Sequence, residues 1–472
     1  MLRTLAYLPG YFISTVATAT AKFFLVSLLI RNVGAEEFGR WSLFEPVVIV
    51  LSQLALLGAN FGLIKQISQD KLSPSAAVKS LSIAVQPVLA AAIILILVIS
   101  GRLGLEWPGP LYLALLLSAE TIYLLLFASY RATSSIMGFT VSAVLKVLAM
   151  LVVLGLALRY GWPTVRKAED VILWSFWPSL AGVGAGLLAV RLAPSGAFFA
   201  PGRLSPSVWR TYFDAVKYGL PLLITAFLTM VIDYAGRYIL NLHVDHATLA
   251  NYVVYAKISS MLELLVVTPF GIWWPTERFR ELEARDGGRS FFRIVSAGLL
   301  ALLLAAGGGL WILSERVILW FAPGVPFNRS VILLLLIATA ARGMSYPLNI
   351  GALKAGKTHW NIYSVLAAAV INLLLSFMLI PSHGLIGAAC ATMLSYFCYT
   401  VFLALISQRL HPVPFPYLTM LVLIVISLLL LIAIQRFLTG LPVFPKAIAY
   451  STLSLALCAP LVWMLVRGKH AA

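Results

Sequence analysis

The stretch Tyr11 to Ile30, YFISTVATATAKFFLVSLLI, is an apolar run long enough to cross a bilayer, with one charge near its middle. That charge is Lys22. Thr15 and Thr18 precede it by seven and four residues, so the three share one helical face. A lysine at the bilayer centre costs roughly 2.5–3.5 kcal/mol on insertion scales. It is tolerated where a polar cavity or an acidic partner receives it, and the rest of the chain offers both.

Similar runs recur to the C-terminus. The 472 residues are 61% hydrophobic and 11% charged, and the mean hydropathy is +0.96. A soluble protein of this size carries about twice that charged fraction. The pattern predicts an all-α polytopic membrane protein with about fourteen transmembrane helices. The spans fall near 9–30, 41–64, 80–100, 111–129, 139–158, 170–190, 218–240, 249–272, 291–313, 329–350, 361–380, 385–407, 417–434 and 446–466. Short alternating segments of the β-barrel kind are absent. The first run lacks a small-residue cleavage site and reads as a retained anchor.

An even number of spans puts both termini on one side. One set of loops holds eighteen Lys and Arg residues and the other ten, which predicts cytoplasmic termini. The formal net charge of +17 is spread over many short loops, which argues against nucleic acid as a partner and for membrane lipids. Cys390, Cys398 and Cys458 lie inside apolar runs, so neither a disulfide nor a metal site is expected.

The longest connection, 191–217, is rich in Pro, Gly and Ser and then turns amphipathic from Val208 to Val216. It reads as a cytoplasmic linker ending in an interfacial helix, with Trp209, Tyr212 and Phe213 as anchors. The expected domains are a six-helix bundle over 1–190, that linker, a second six-helix bundle over 218–407, and two additional helices over 408–472. A faint internal repeat fits this division. Phe38-Gly39-Arg40-Trp41 and Leu249-Ala250-Asn251-Tyr252 stand 211 positions apart, and the same offset sets Lys22 opposite Asp233.

Several charges fall deep inside spans. Lys22, Lys146, Lys257 and Arg342 are the deep cations, with Arg237 nearer a helix end. Glu120, Asp233 and Glu263 are the comparable acids. Structural readings exist for each. Asp233 and Arg237 are four residues apart and can pair on their own helix. Glu120 can neutralise Lys22 or Lys146 from a neighbouring helix. Polar stripes favour a wet cavity instead: Thr225, Thr229, Asp233 and Arg237; Tyr255, Ser259 and Glu263; Thr339, Arg342, Tyr346 and Asn349. A basic cavity suits an anionic substrate, above all a phosphate or pyrophosphate, and the acids could hold a coupling proton or sodium ion. No phosphate-cradling loop and no catalytic constellation is present in the sequence, so a transporter is expected rather than an enzyme.

Two stretches resemble a known family. Ile30-Arg31-Asn32-Val33-Gly34-Ala35-Glu36-Glu37-Phe38-Gly39-Arg40-Trp41 resembles the junction after the first helix of bacterial polysaccharide flippases. Ile380-Pro381-Ser382-His383-Gly384-Leu385-Ile386-Gly387-Ala388-Ala389 resembles the start of their twelfth helix. The family is the polysaccharide/oligosaccharide flippase branch of the multidrug/oligosaccharidyl-lipid/polysaccharide exporter superfamily. The resemblance implies two six-helix bundles in a V-shaped arrangement that open alternately to each side. It implies flipping of an undecaprenyl-pyrophosphate-linked oligosaccharide to the outer leaflet of the bacterial cytoplasmic (inner) membrane, for O-antigen, capsule or exopolysaccharide export. A polysaccharide polymerase and export machinery are then the expected partners. In that setting Lys22, Lys146, Lys257, Arg342 and Arg237 take the substrate-binding role, and Glu120, Asp233 and Glu263 the ion-coupling role, with no cofactor and no metal. Three alternatives stand beside it: a lipid II flippase, a drug/cation antiporter of the same superfamily, and a membrane-embedded polysaccharide polymerase or ligase.

Overall fold

A computed structural model describes residues 24, 26–68, 74–99, 107–132, 136–159, 167–192, 206–282, 288–357, 359–438 and 442–467. Helices account for nearly all of these residues, and no strand occurs among them. Lys22, Thr15 and Thr18 lie outside the described residues. Eight helices among them are long and apolar enough to cross a membrane. Large apolar side chains such as Phe377, Met378, Leu418 and Leu429 stand on their outer faces, as lipid contact requires. The molecule is an all-α polytopic membrane protein.

The chain divides into two compact units, Met1–Met230 with His246–Ala250, and Val231–Asp245 with Asn251–Ala472. The first contains α1 (Ala35–Ala55), α2 (Ala59–Ser68), α3 (Pro74–Ile99), α4 (Gly109–Ala132), α5 (Ile136–Arg159), α6 (Ala168–Leu192) and the N-terminal part of α7 (Pro206–Asn241). α4 packs against α1, α2, α3 and α6, and α5 lies along α6. α1 opens after Gly34, and Glu36 and Glu37 in its first turn complement the helix dipole.

The span expected over 41–64 is two helices. Leu57 and Gly58 both adopt positive φ, 47° and 76°, which ends α1 before α2 begins. The break brings backbone against backbone: a Cβ on Gly62 would stand 2.2 Å from the Ala215 carbonyl oxygen. Small residues on α2 and α7 therefore set how closely these helices approach. Leu56, Leu63, Val85, Leu126 and Tyr130 fill the adjoining core.

The segment expected as an interfacial helix is observed as the opening turns of α7, which runs without a break for 36 residues past Pro221. Tyr212 is not at an interface; it is 2% exposed and belongs to the core just described. Phe213 is exposed, as an anchor should be.

The second unit holds the C-terminal part of α7, α8 (His246–Leu262) from Asn251 onward, a π-helical turn (Glu263–Val267), α9 (Thr268–Leu282), α10 (Arg289–Phe321), α11 (Arg329–Leu348), the short α12 (Ile350–Lys354), α13 (His359–Leu410), α14 (Tyr417–Phe437) and α15 (Val443–Arg467). The π turn ends two residues before Pro269. A proline has no N–H and collides with the carbonyl four residues back, and widening the preceding turn relieves that conflict. The Thr268 N–H donates to the Glu263 carbonyl, five residues back.

α11 is capped by Asn328, whose side chain accepts the Val331 N–H at 3.2 Å. α11 packs along α13, α10 packs against α11, and α14 and α15 both lie on α10. Tyr450 of α15 donates to the Leu304 carbonyl and Ser451 to that of Ala305, so polar groups fix the last helix on α10. α13 spans 52 residues, about 78 Å at helical rise and far more than one bilayer crossing. It corresponds to the two spans expected over 361–380 and 385–407. The chain turns at Gly384, with φ 51° and ψ −125°, three residues after Pro381.

Candidate substrate cavity

The second unit encloses a cavity of about 160 Å³. α7 contributes Asp233 and Arg237, α8 Lys257, the π turn Glu263, α11 Arg342, and α13 Thr392 and Tyr396. Three basic and two acidic side chains thus meet in a bundle whose outer faces are apolar. Isolated ions in such a setting carry a desolvation penalty of several kcal/mol each, so they must find each other or water.

Arg342 is the centre of this arrangement. Its Nη1 donates to Glu263 Oε2 at 3.1 Å and lies 3.5 Å from Asp233 Oδ2. The second oxygen of Asp233 accepts the hydroxyl of Tyr396. The Tyr396 ring also lies beneath the guanidinium, 5.6 Å from its centroid. The three charged side chains remain 26%, 30% and 31% exposed for Arg342, Asp233 and Glu263, so they face space rather than packed core. Arg237 is 5% exposed and lies over the Tyr234 ring at 4.8 Å.

The polar stripes read from the sequence separate into two kinds of residue. The hydroxyls close on their own helices: Thr225 onto Pro221, Thr229 onto Thr225, Thr339 onto Leu335 and Ser259 onto Ala256. Asp233, Glu263 and Arg342 cross between helices and meet. Tyr255 leaves its stripe altogether and donates to the Pro326 carbonyl. Tyr346 packs edge-on against Phe270.

The remaining candidates of the first unit form a cluster of their own. Lys146 of α5 donates to both carboxylate oxygens of Glu120 on α4, at 2.6 and 2.8 Å. Ser179 of α6 donates to the same carboxylate at 2.6 Å, and the ammonium sits 4.0 Å above the Tyr123 ring. Gly182 admits this packing, since a Cβ there would be 2.9 Å from that of Lys146. Of the two cations that the sequence offers to Glu120, Lys22 and Lys146, it is Lys146 that bonds it here.

Sequence reasoning missed Tyr252, Thr392 and Tyr396 on the cavity wall. A signal existed. Thr392, Tyr396, Tyr399 and Thr400 recur at helical spacing in an otherwise apolar span. Thr400 donates to the Ala341 carbonyl, which ties α13 to α11 beside the cavity, and Tyr399 donates to Asn361 within α13, across the turn at Gly384.

No protein-family model and no curated protein sequence matches the chain. Solved structures do. The lipid II flippase MurJ in an inward closed conformation is 14% identical, with a TM-score of 0.67 over 98% of this chain and 99% of that one. An inward-facing multidrug resistance MATE family transporter of the MOP superfamily is 10% identical, with a TM-score of 0.60 over 84% and 97% of the two chains. A MOP superfamily transporter from Pyrococcus furiosus, described by the reverse polarity of its binding pocket, is 10% identical, with a TM-score of 0.50 over 85% and 95%. At these identities the likeness concerns the fold: the chain is built as the lipid II flippase and the multidrug transporters of the MOP superfamily are built.

Proposed function

We propose that the protein is a flippase for an anionic lipid-linked oligosaccharide, with an undecaprenyl pyrophosphate as the carried group. The observation that carries this reading is the gathering of Arg237, Lys257 and Arg342 on one cavity inside an apolar bundle. Guanidinium and ammonium groups together recognise the oxygens of a diphosphate, and a partly desolvated site strengthens each bond. Structural likeness to a lipid II flippase across nearly the whole chain supports a lipid-linked substrate. The sugar headgroup travels in the cavity while the polyprenyl tail stays in lipid, and alternating access carries the headgroup across. Asp233 and Glu263 take the coupling proton or sodium ion.

The excess of Lys and Arg in one set of loops supports cytoplasmic termini, and the family resemblance supports placement in the bacterial cytoplasmic membrane. Two six-helix halves, over 1–190 and 218–407, joined by the 191–217 segment and followed by two helices, form the working unit. The oligosaccharide would then pass to a polysaccharide polymerase and export machinery.

A lipid II flippase is the second reading, favoured by the full-length match to MurJ and by helices beyond the twelfth. A drug/cation antiporter fits less well, because its cationic substrate would meet three basic groups against two acidic ones. Reconstitution into vesicles with a fluorescent polyprenyl-pyrophosphate oligosaccharide tests the proposal. Transfer of the label to the opposite leaflet supports it; a label that stays in its starting leaflet at the rate of empty vesicles overturns it.

A further inference from the structure

The two carboxylates of the cavity have a task of their own. Both bonds that Arg342 makes to them leave from one nitrogen, Nη1. A carboxylate that clamps arginine in the strongest geometry takes two parallel N–H bonds instead. Asp233 and Glu263 hold the guanidinium by a corner and leave its Nε–Nη2 edge unused by either of them. Around one guanidinium there are therefore two negative groups, and any phosphate that binds Arg342 meets both of them at close range. Tyr396 fixes Asp233 in this position by donating to its other oxygen.

We infer that Asp233 and Glu263 are internal competitors for the substrate diphosphate at Arg342, and that they set its affinity low enough for release. This rests on the flippase reading above. A carrier must bind its cargo and let it go, and a bare cluster of Arg342, Arg237 and Lys257 would hold a diphosphate too firmly. The competing carboxylates are tethered, so they act at constant effective concentration in every cycle. When the diphosphate occupies Arg342 they lose their counter-ion, and when it leaves they recover it.

The inference gives an unusual sign for the mutations. A carboxylate with a purely structural role weakens binding when neutralised, whereas a competitor strengthens it. Purified protein in lipid nanodiscs is titrated with farnesyl pyrophosphate and, separately, with inorganic pyrophosphate. Asp233→Asn and Glu263→Gln, each an isosteric change, are expected to lower the dissociation constant about tenfold and to slow flipping in the same measure. Arg342→Gln raises the dissociation constant at least tenfold. Tightening with both probes assigns the competition to the diphosphate itself; tightening with the farnesyl probe alone assigns it to the lipid-linked form. Unchanged or weaker binding in both carboxamide variants overturns the inference while leaving the flippase reading intact. Failure of the wild type to bind either probe overturns the substrate reading on which it rests.

Discussion

A Cβ placed on Gly219 would stand 1.8 Å from the carbonyl oxygen of Gly58. The helix that carries Gly219 and the turn that carries Gly58 therefore touch through main chain alone. Gly219→Ala is expected to push the two apart at a cost of about 2 kcal/mol, the usual penalty for overpacking a tight contact. Thermal unfolding in detergent measures it. Gly155→Ala on α5 is the control, because a Cβ there meets nothing within 4 Å. It should leave stability equal or raise it by up to about 1 kcal/mol.

Lys146 and Glu120 should behave as a pair. Lys146→Met leaves a carboxylate with its counter-ion gone, and Glu120→Gln leaves an ammonium over Tyr123. Each single change is expected to destabilise by about 2–4 kcal/mol. The double change should recover much of that loss, because two neutral side chains need no partner. A double-mutant cycle on unfolding free energies reads the coupling. Additive losses would mean that the two charges act separately.

The cavity cations should govern transport rather than folding. Arg342→Gln and Lys257→Gln are expected to reduce flipping at least tenfold, a loss of about 1.4 kcal/mol of stabilisation or more. Membrane levels by immunoblot should stay normal, since the carboxylates near Arg342 are about a third exposed and can be hydrated. Wild-type flipping by both variants would remove the cavity from the mechanism.

Gly384 turns the chain within α13 at a φ of 51° and a ψ of −125°, where a side chain is strained. Gly384→Ala should cost about 1–3 kcal/mol. Ser382→Ala, two residues earlier and exposed, should cost little. Melting temperatures of the two variants, compared under one detergent condition, decide this.

The helical spans were legible because lipid exposure demands long apolar runs, and runs near 109–132 or 136–159 end where polar residues begin. Local backbone geometry was less legible. Nothing in the apolar pattern distinguishes Leu57 from its neighbours, yet its positive φ splits the second span into two helices. Tyr212 looked like an interfacial anchor because amphipathicity reports that a face is apolar, not whether protein or lipid covers it. The charged members of the cavity were recognised from their cost in a membrane. Their pairing was not, since Arg342 and Asp233 are 109 positions apart and periodicity reports only one helix at a time. Tyr396 was missed because a tyrosine in an apolar span is inexpensive and draws no attention by itself.

The π turn over Glu263–Val267 has a consequence for how this chain is aligned and edited. It holds one residue more than an α-helix needs, so everything from Thr268 to Leu282 is rotated by about 100° relative to an uninterrupted helix. A homologue lacking that residue would match this chain only with a one-position gap at the turn. An ungapped alignment would pair Phe270 and Trp274 with residues on the wrong face. In this stretch a single deletion is thus a register event: it would leave Tyr255 and Ser259 in place, while turning Phe270 and Trp274 away from their packing against Phe291 and Phe292 on α10.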